Sequence, residues 1–343
     1  MNLTDKRVLL IVPAFYGYEK LICEGLEKLG AKVTYLENKA FRNDPITRDT
    51  KWYLTFLCKK KTYIKNELIQ HSRDEFDICF FINLFSFHPE LIENLKNRNP
   101  NIFTVLYLWD NVKNYRWQQF FKYFNRVYSF DPVDSRMLGF DYLPNFYLPY
   151  GPGIDIKANK FDLSFVGSLQ VHRLRILNEL MPKLKDQNKT FFFHLYLHPN
   201  YNKLKFNRYV HAVLKFLPSQ FKGYKHLYSL ISRKNIHELV YHDPLTIGES
   251  IQSLAHSSCV LDLPFPSQTG STQRMIQALA LQKKVITTNS AVTAESFYNP
   301  DYIKVVSEEG IDVDWDWVIR KNEVALNINH LLLDNWLTRI LTH

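Results

Sequence analysis

The stretch that decides the fold is Cys259–Asn289, which reads CVLDLPFPSQTGSTQRMIQALALQKKVITTN. Ser258 to Leu263 has the length of a buried strand, and a Pro-bounded loop follows it. A helical apolar pattern then runs from Gln273 to Leu281, and a second buried strand from Lys284 to Thr288. Strands that alternate with helices in this way predict a parallel sheet covered on both faces.

The same alternation extends through the rest of the chain. It lapses at a Pro- and Gly-rich stretch around Pro144 to Lys160, which predicts a domain boundary. We predict an N-terminal domain over 1–150, a second domain over 151–325 and a C-terminal helix over 326–343 that packs back on the first domain. The other predicted strands are Val8–Val12, Lys32–Leu36, Asp77–Ile82, Ile102–Leu108, Arg126–Phe130, Asp162–Gly167, Phe191–Leu197 and Glu238–Tyr241. The other predicted helices are Glu19–Leu29, Pro89–Lys96, His172–Leu184, Ile247–His256 and Val324–Leu341.

Composition narrows the class of protein. The 343 residues are 46% hydrophobic and 15% aromatic, which is enough for two packed cores and excludes disorder. The cysteines form no CxxC pair, which argues against a zinc site and fits a reducing cytoplasm. The apolar run before Pro13 is too short for a signal peptide, and no run reaches the roughly 18 residues of a membrane span. We therefore expect a cytoplasmic protein.

The net charge of +9 favours anionic partners, and Gln187–His237 contains no Asp or Glu. Two stretches, Lys51–Lys61 and Lys203–Lys234, mix aromatic residues with cations. They suit peripheral attachment to the anionic inner face of the cytoplasmic membrane, or alternatively helices with a packed aromatic face and solvated lysines. The charge also raises the hypothesis of a nucleic-acid-binding protein. No helix-turn-helix, zinc finger or RNA-binding motif supports it, so we expect no nucleic-acid partner.

The loop and helix start at Gln268 to Arg274 have the character of an anion site. Gly270 allows a tight turn, and Ser271 and Thr272 place hydroxyls and free N–H groups at the positive end of a helix. Arg274 adds a guanidinium fork suited to phosphate oxygens, and Gln277 could reach a ribose hydroxyl. The alternative is an ordinary N-capped helix after a strand.

Gly167 and Ser168 end a strand just before a helix, so their backbone could approach a ligand closely. Arg173, in the first turn of that helix, is predicted to meet a phosphate opposite Arg274. The alternative is a tight strand–helix turn with a solvated arginine. His88 and His198 each follow a strand and precede a proline, a position suited to a phosphate contact or a base, but also typical of a helix start.

Carboxylates follow two N-domain strands. Asp110 is predicted to be a catalytic base, with Trp109 and Asn111 orienting it; the alternative is that it caps the next helix. Asp131, next to Pro132, is interpreted as an N-cap. No Asp-x-Asp pair follows a strand in the metal-binding manner, and Asp312-Val313-Asp314 looks like a surface turn. The sequence therefore predicts a metal-free mechanism in which positive groups stabilise a departing diphosphate.

Several of these stretches together resemble bacterial GT-B glycosyltransferases of lipopolysaccharide and capsule assembly, over roughly residues 100–305. The matching stretches are Pro266–Ala280, Lys283–Asn289, Leu108–Asn114, Tyr128–Pro132 and Phe161–Ser168 with Arg173. The resemblance implies an α/β fold of two Rossmann-like domains facing a cleft, in which the domain 1–150 binds the acceptor and the domain 151–325 binds the nucleotide-sugar. Together with the positions of the residues discussed above, it gives the predicted donor contacts: Gly167, Ser168, Arg173, His198, Pro244, Leu245, Gln268, Thr269, Gly270, Ser271, Thr272, Arg274 and Gln277. Where many GT-B enzymes carry an acidic ribose-binding residue, this chain has Gln277.

The expected function is transfer of a sugar from a nucleotide-sugar donor, which is a substrate rather than a cofactor, to a glycan or a lipid-linked acceptor. The alternative functions are nucleic-acid binding and non-catalytic binding of a nucleotide or sugar. The sequence leaves open the donor base, the sugar and the choice between inversion and retention.

Overall fold

A computed structural model describes residues 3–39, 69–71, 74–115, 117–150, 159–197 and 238–342. The basic aromatic stretches Lys51–Lys61 and Lys203–Lys234, and His198, lie outside the described residues. Packing divides the chain into two compact units. Unit 1 comprises Met1–Pro149, Ser267–Ser271 and Asn329–His343, and unit 2 comprises Tyr150–Pro266 and Thr272–Ile328.

Unit 1 contains a six-stranded parallel sheet with the order β2-β1-β3-β4-β5-β6. Its strands are β1 (Arg7–Val12), β2 (Lys32–Glu37), β3 (Ile78–Ile82), β4 (Phe103–Leu108), β5 (Arg126–Ser129) and β6 (Asp141–Tyr142). Its helices are α1 (Tyr18–Lys28), the short helix Ile69–His71, α2 (Pro89–Arg98) and α3 (Pro132–Leu138), with 3-10 turns at Val112–Asn114 and Gln118–Tyr123. Every residue of β3 and β4 is buried, which explains why both read as unbroken apolar runs.

Unit 2 contains a second six-stranded parallel sheet with the order β12-β11-β10-β7-β8-β9. Its strands are β7 (Phe161–Ser168), β8 (Phe191–Tyr196), β9 (Val240–Tyr241), β10 (Ser257–Asp262), β11 (Lys284–Thr287) and β12 (Ile303–Val305). Its helices are α4 (Val171–Asp186), α5 (Ile247–Ala255), α6 (Gln273–Ala280) and α7 (Trp315–Ile319), with a 3-10 turn at Ser290–Ala294. The core packs α4 against the apolar centres of β7, β8 and β10.

All of the predicted strands are confirmed to within a few residues. The edge strands β6 and β12 were not predicted, because strands of two or three residues are too short for a periodic pattern. In unit 1, His88 and Asp131 accept hydrogen bonds from the first turns of α2 and α3, so both are N-caps. Within the described residues, no helix is both long and apolar enough to cross a bilayer.

The predicted C-terminal helix Val324–Leu341 is wrong in its first half. The helix, α8, covers only Leu333–Leu341 and follows a 3-10 turn at Asn329–Leu331. In unit 2, the Tyr302 hydroxyl donates to the Val324 carbonyl, and Gln282 bonds both backbone groups of Leu326. These contacts use backbone groups that a helix would need for its own hydrogen bonds, so tertiary hydrogen bonds override the helical apolar stripe. In unit 1, α8 itself packs against α1, with Leu337 closing over Gly25.

Each sheet has one point where the strand order reverses. In unit 1 it lies between β1 and β3, and in unit 2 between β7 and β10. Connections leave the two strands in opposite directions there, which opens a crevice beyond their carboxyl ends. The residues that follow β1, β3, β7 and β10 are therefore the first places to look for function in either unit.

Candidate functional site

The switch point of unit 2 is organised by a buried carboxylate, Asp262, at the end of β10. Its Oδ1 accepts hydrogen bonds from the Thr272 hydroxyl at 2.6 Å and from Arg274 Nη2 at 2.8 Å. Its Oδ2 accepts a bond from the Thr287 hydroxyl at 3.0 Å. A buried carboxylate needs such partners, because without them desolvation would be costly. Asp262 thereby ties the start of α6 to the ends of β10 and β11.

Arg274 is held more firmly than the sequence suggested. Besides its ion pair with Asp262, its Nη1 donates to the Val166 carbonyl at 2.5 Å, and the guanidinium lies 4.3 Å from the centre of the Phe165 ring. A Cβ atom at Gly167 would lie 2.9 Å from Nη1. Gly167 is thus required here to make room for Arg274, a reason different from the predicted close approach to a ligand.

Arg173 lies in the same unit, not opposite Arg274. Its Nε donates to the Leu263 carbonyl at 2.8 Å, and its Nη1 donates to both the backbone carbonyl and the hydroxyl of Ser168 at 3.1 Å. The side chain is buried, which rules out the solvated arginine considered as an alternative. It bridges the carboxyl ends of β7 and β10.

The charges at this point do not balance. Burial and the neighbouring Arg274 both lower the pKa of Arg173, and the attraction of Asp262 does not offset them. Two guanidinium groups therefore share one carboxylate in a partly desolvated place, beside the N-terminal end of α6. Such a place favours a bound anion, because an anion would restore the balance that the protein leaves incomplete.

The loop Ser267–Ser271 packs within unit 1, where it is bound by Asp131. One carboxylate oxygen accepts hydrogen bonds from the backbone N–H groups of Thr269 and Gly270, and the other accepts a hydrogen bond from the Thr269 hydroxyl. The same carboxylate caps α3 through Val133 and Asp134. The Thr269 and Gly270 amides thus bind a protein carboxylate, and the donor contacts predicted for Thr269 and Gly270 stay predictions.

Gly270 has a packing role in the loop. A Cβ atom there would lie 2.6 Å from the Phe130 carbonyl oxygen, so no side chain fits. Gln268 Nε2 donates to the Gly270 carbonyl at 2.9 Å, and Asn145 Nδ2 donates to the Ser271 carbonyl at 2.9 Å. The conformation of the loop is thus fixed by contacts that no local sequence pattern predicted.

Asp110 follows β4, the strand next to β3 and therefore one strand away from the switch point of unit 1. Asn83, just after β3, donates from Nδ2 to Asp110 Oδ2 at 2.8 Å, while its Oδ1 accepts the Trp109 backbone N–H at 2.8 Å. Asn83 is buried and has a φ of 60°, a left-handed conformation that asparagine tolerates better than most residues. Asn111, predicted to orient Asp110, instead donates to Asp131 at 3.3 Å and caps the following 3-10 turn.

The remaining predicted donor residues of unit 2 are dispersed. Thr272 caps α6 by accepting the Met275 N–H at 3.1 Å. Gln277 is buried on the same helix. Pro244 is exposed and Leu245 half-buried after β9, beside a capping box at Thr246 that starts α5. The donor contacts predicted for these residues stay predictions.

Two residues that organise these places were missed from the sequence alone. Asp262 is a carboxylate inside an apolar strand, and that mismatch was a readable signal that a cation must lie nearby. Asn83 directly follows a fully apolar strand, but nothing local connects it to Asp110, which is 27 residues away. Only the parallel pairing of β3 with β4 brings the two together.

Comparison with known proteins tests the fold. The N-terminal domain of a trehalose-6-phosphate phosphatase from Candida albicans is similar over 98% of this chain and 95% of that chain, with 10% identity and a TM-score of 0.52. A sucrose-phosphate synthase from Thermosynechococcus elongatus is similar over 91% of this chain and 88% of that chain, with 12% identity and a TM-score of 0.51. No protein-family model matches the sequence, and no curated protein matches it at the sequence level. Together with the two six-stranded parallel sheets, the structural similarities show that this chain has the GT-B fold of two Rossmann-like domains.

Proposed function

We propose that the chain is a metal-independent glycosyltransferase that moves a sugar from a nucleotide-sugar donor to a glycan or lipid-linked acceptor. The observation that carries this proposal is the one positive charge that remains at the switch point of unit 2, where Arg173 and Arg274 share the single carboxylate of Asp262. A nucleoside diphosphate is an anion of matching charge, and switch points of parallel sheets are where nucleotides bind. The fold supports the proposal, since one similar structure is by its name a sucrose-phosphate synthase.

The donor's diphosphate would lie beside Ser168, Arg173 and the start of α6, with Arg274 behind it. Ser168 is exposed, so its hydroxyl is accessible as well as bonded to Arg173. The nucleoside would extend toward Pro244 and Leu245, which follow β9 at the carboxyl edge of the same sheet. Fixed positive groups would stabilise the charge that develops on the departing diphosphate, a role that needs no metal ion.

Asp110 would act on the acceptor. In an inverting transfer, its carboxylate takes the proton of the acceptor hydroxyl while that oxygen bonds to the anomeric carbon. The bond from the anomeric carbon to the diphosphate oxygen breaks, and the nucleoside diphosphate leaves with the electron pair. The hydrogen bond from Asn83 orients the carboxylate for this step. The resemblance of residues 100–305 to enzymes of lipopolysaccharide and capsule assembly supports a role in bacterial surface polysaccharide synthesis.

The first experiment is a donor screen of the full chain by calorimetry and product assay with UDP-, GDP-, ADP-, dTDP- and CMP-sugars. We expect one donor class to bind and to turn over, both with and without EDTA. Absence of binding and turnover with every donor would refute the enzyme assignment. Loss of activity in EDTA that Mg²⁺ restores would refute only the metal independence.

The second experiment tests the anion site with Arg173→Gln. Loss of a charged hydrogen-bond donor should weaken nucleotide binding by about 10- to 100-fold. Arg175→Gln is the matched control, because Arg175 lies on the same helix and makes a surface ion pair with Glu308 at 3.9 Å. Arg173→Lys keeps the charge but not the fork, and should retain part of the affinity. Equal nucleotide affinity in Arg173→Gln and Arg175→Gln would place the anion elsewhere.

A further inference from the structure

Four aromatic side chains form one surface patch in unit 1, beyond the carboxyl ends of β1 and β4. The aromatic patch consists of Phe15, Tyr16, Tyr18 and Trp109. Phe15 lies 4.6 Å from Tyr16 and 6.1 Å from Trp109 between ring centres, and Tyr18 lies 5.6 Å from Trp109. Phe15 and Tyr16 are 49% and 42% exposed, although both follow a strand that is buried at five consecutive residues.

The loop that carries Phe15 and Tyr16 is held in a specific conformation. Tyr16 has a φ of 55° and Gly17 a φ of 94°. A bulky residue is rarely found in this left-handed region, because its Cβ crowds the backbone. The Phe15 N–H is fixed by a hydrogen bond of 3.0 Å to Glu19 Oε2. The chain thus accepts a strained residue and keeps two large apolar rings in solvent, which is a cost unless a ligand covers them.

Two carboxylates, those of Asp110 and Glu19, border the aromatic patch. Asp110 directly follows Trp109, and its carboxylate accepts the hydrogen bond from Asn83. The Glu19 carboxylate accepts a hydrogen bond from the Phe15 backbone N–H. Aromatic faces beside carboxylates disfavour an anionic partner such as a phosphate or an acidic lipid headgroup. A hydrocarbon tail would use the rings but would leave the carboxylates without a role.

A saccharide ring uses both kinds of group. One face of a pyranose presents weakly polarised C–H groups, which the negative face of an aromatic ring attracts. The edge of the pyranose ring presents hydroxyl groups, which donate hydrogen bonds to carboxylates. We propose that the aromatic patch seats a neutral sugar ring of the acceptor, with Phe15 and Tyr16 against the ring face and a hydroxyl at Asp110. This inference rests on the proposed function and specifies that its acceptor is a glycan at the point of reaction.

The test is a binding measurement that needs no donor and no turnover. The full chain is titrated with maltose, cellobiose, lactose and N,N′-diacetylchitobiose, and binding is followed by saturation-transfer NMR and calorimetry. The variants are Phe15→Ala, Tyr16→Ala and the conservative Phe15→Tyr, and Tyr35→Ala is the control because Tyr35 is an exposed aromatic on β2 of the same unit. Thermal melting establishes that each variant is folded, and phosphatidylcholine vesicles with and without phosphatidylglycerol test the lipid alternative.

We expect at least one saccharide to bind, and each alanine variant to weaken that binding about tenfold. Phe15→Tyr and Tyr35→Ala should bind like the wild type, and nucleotide-sugar affinity should be the same in every variant. The proposal is overturned if no saccharide binds, if the alanine variants bind saccharide like the wild type, or if they lose vesicle binding instead. Failure of every donor to bind would overturn the proposed function separately, since the saccharide titration is measured without donor.

Discussion

Asp110 and Asp131 both come just after strands of the unit 1 sheet, but their surroundings differ in whether they leave the carboxylate able to accept a proton. The carboxylate of Asp131 is buried and accepts bonds from the N–H groups of Val133, Asp134, Thr269 and Gly270, from the Thr269 hydroxyl and from Asn111. No lone pair is left to accept a substrate proton. Asp110 is half-buried and is oriented by Asn83 from a neighbouring strand. At the residue scale, a partner on an adjacent strand distinguishes the candidate base from the structural carboxylate.

Asn83 can be tested as a positioning residue. Asn83→Gly keeps the left-handed backbone but removes the hydrogen bonds to Asp110 and Trp109. We expect kcat to fall about 10- to 100-fold with donor KM unchanged, and Asp110→Asn to lower kcat further, by about 10²- to 10⁴-fold. Steady-state kinetics at several acceptor concentrations would check both.

The matched control is Asn188→Gly, since Asn188 also has a positive φ of 52° but lies exposed in unit 2. It should leave kcat unchanged. If Asn83→Gly instead behaved like this control, Asp110 would not depend on Asn83. If Asp110→Asn retained full activity, another group would have to accept the proton.

At the scale of elements, Asp131 makes the most hydrogen bonds between the loop Ser267–Ser271 and the rest of unit 1, and Asn145 adds one to the Ser271 carbonyl. Burial by itself would raise the pKa of Asp131, but hydrogen bonds from Thr269, Asp134 and Gly270 outweigh burial and leave the pKa below its usual 3.8. The native state therefore prefers the ionised carboxylate. The ionised carboxylate therefore stabilises the folded protein above about pH 4, and this contribution is lost as the pH falls through the lowered pKa.

Asp131→Asn should weaken this attachment. An amide presents N–H groups where the loop and α3 also present N–H groups, so we expect the free energy of unfolding at pH 7 to fall by about 2–4 kcal/mol. The difference from the wild type should narrow below about pH 4. Denaturant titrations at pH 7 and pH 3.5 would measure both values.

Asp141→Asn is the control for this prediction. Asp141 makes an exposed ion pair with Arg126 at 2.6 Å, and such pairs contribute less than about 1 kcal/mol. A similar loss of stability in both variants would mean that the Asp131 network adds nothing beyond an ordinary surface charge.

At the scale of the whole molecule, three partly buried histidines are poised to make stability depend on pH. Burial is the main cause that lowers the pKa of His172, His194 and His330 below 6.5. In unit 2, the rings of His172 and His194 lie 2.9 Å and 3.1 Å from the carbonyl oxygens of Pro264 and Asp243. The folded chain thus prefers neutral rings, whereas the unfolded chain takes up protons near pH 6.5.

The sign of the effect follows from this difference. Stability is fully present above about pH 6.5 and falls as the pH drops toward the lowered values, with at most about 1.4 kcal/mol per pH unit for each histidine. We expect the denaturation midpoint to decrease between pH 7.5 and 5.5, and His172→Gln with His194→Gln to flatten that slope. If the double substitution left the slope unchanged, titratable groups other than His172 and His194 would have to cause the pH dependence of stability.

The sequence by itself determined the alternation of strands and helices and therefore the two parallel sheets. Apolar runs such as Val8–Val12 and Ile78–Ile82 can be buried only between two layers of helices, so the local pattern carries that information. The sequence also predicted that Ser168, Arg173 and Arg274 contribute to one site, and the three residues are neighbours in unit 2, while their binding of an anion stays a prediction. Asp110 likewise lies where its place after a strand predicted.

Tertiary structure alone decided which groups those residues bind. Asp131 engages a loop 138 residues away, Asp262 neutralises Arg274, and the backbone of Leu326 is held by Gln282. These contacts join segments that become neighbours through the order of strands in the parallel sheets. The number of residues between two segments of the sequence does not indicate that order. A backbone amide carries a single hydrogen, so an amide that donates it to a buried protein group has none left for a second strong hydrogen bond. Thus the Thr269 and Gly270 amides bind the Asp131 carboxylate, a contact that the sequence did not predict.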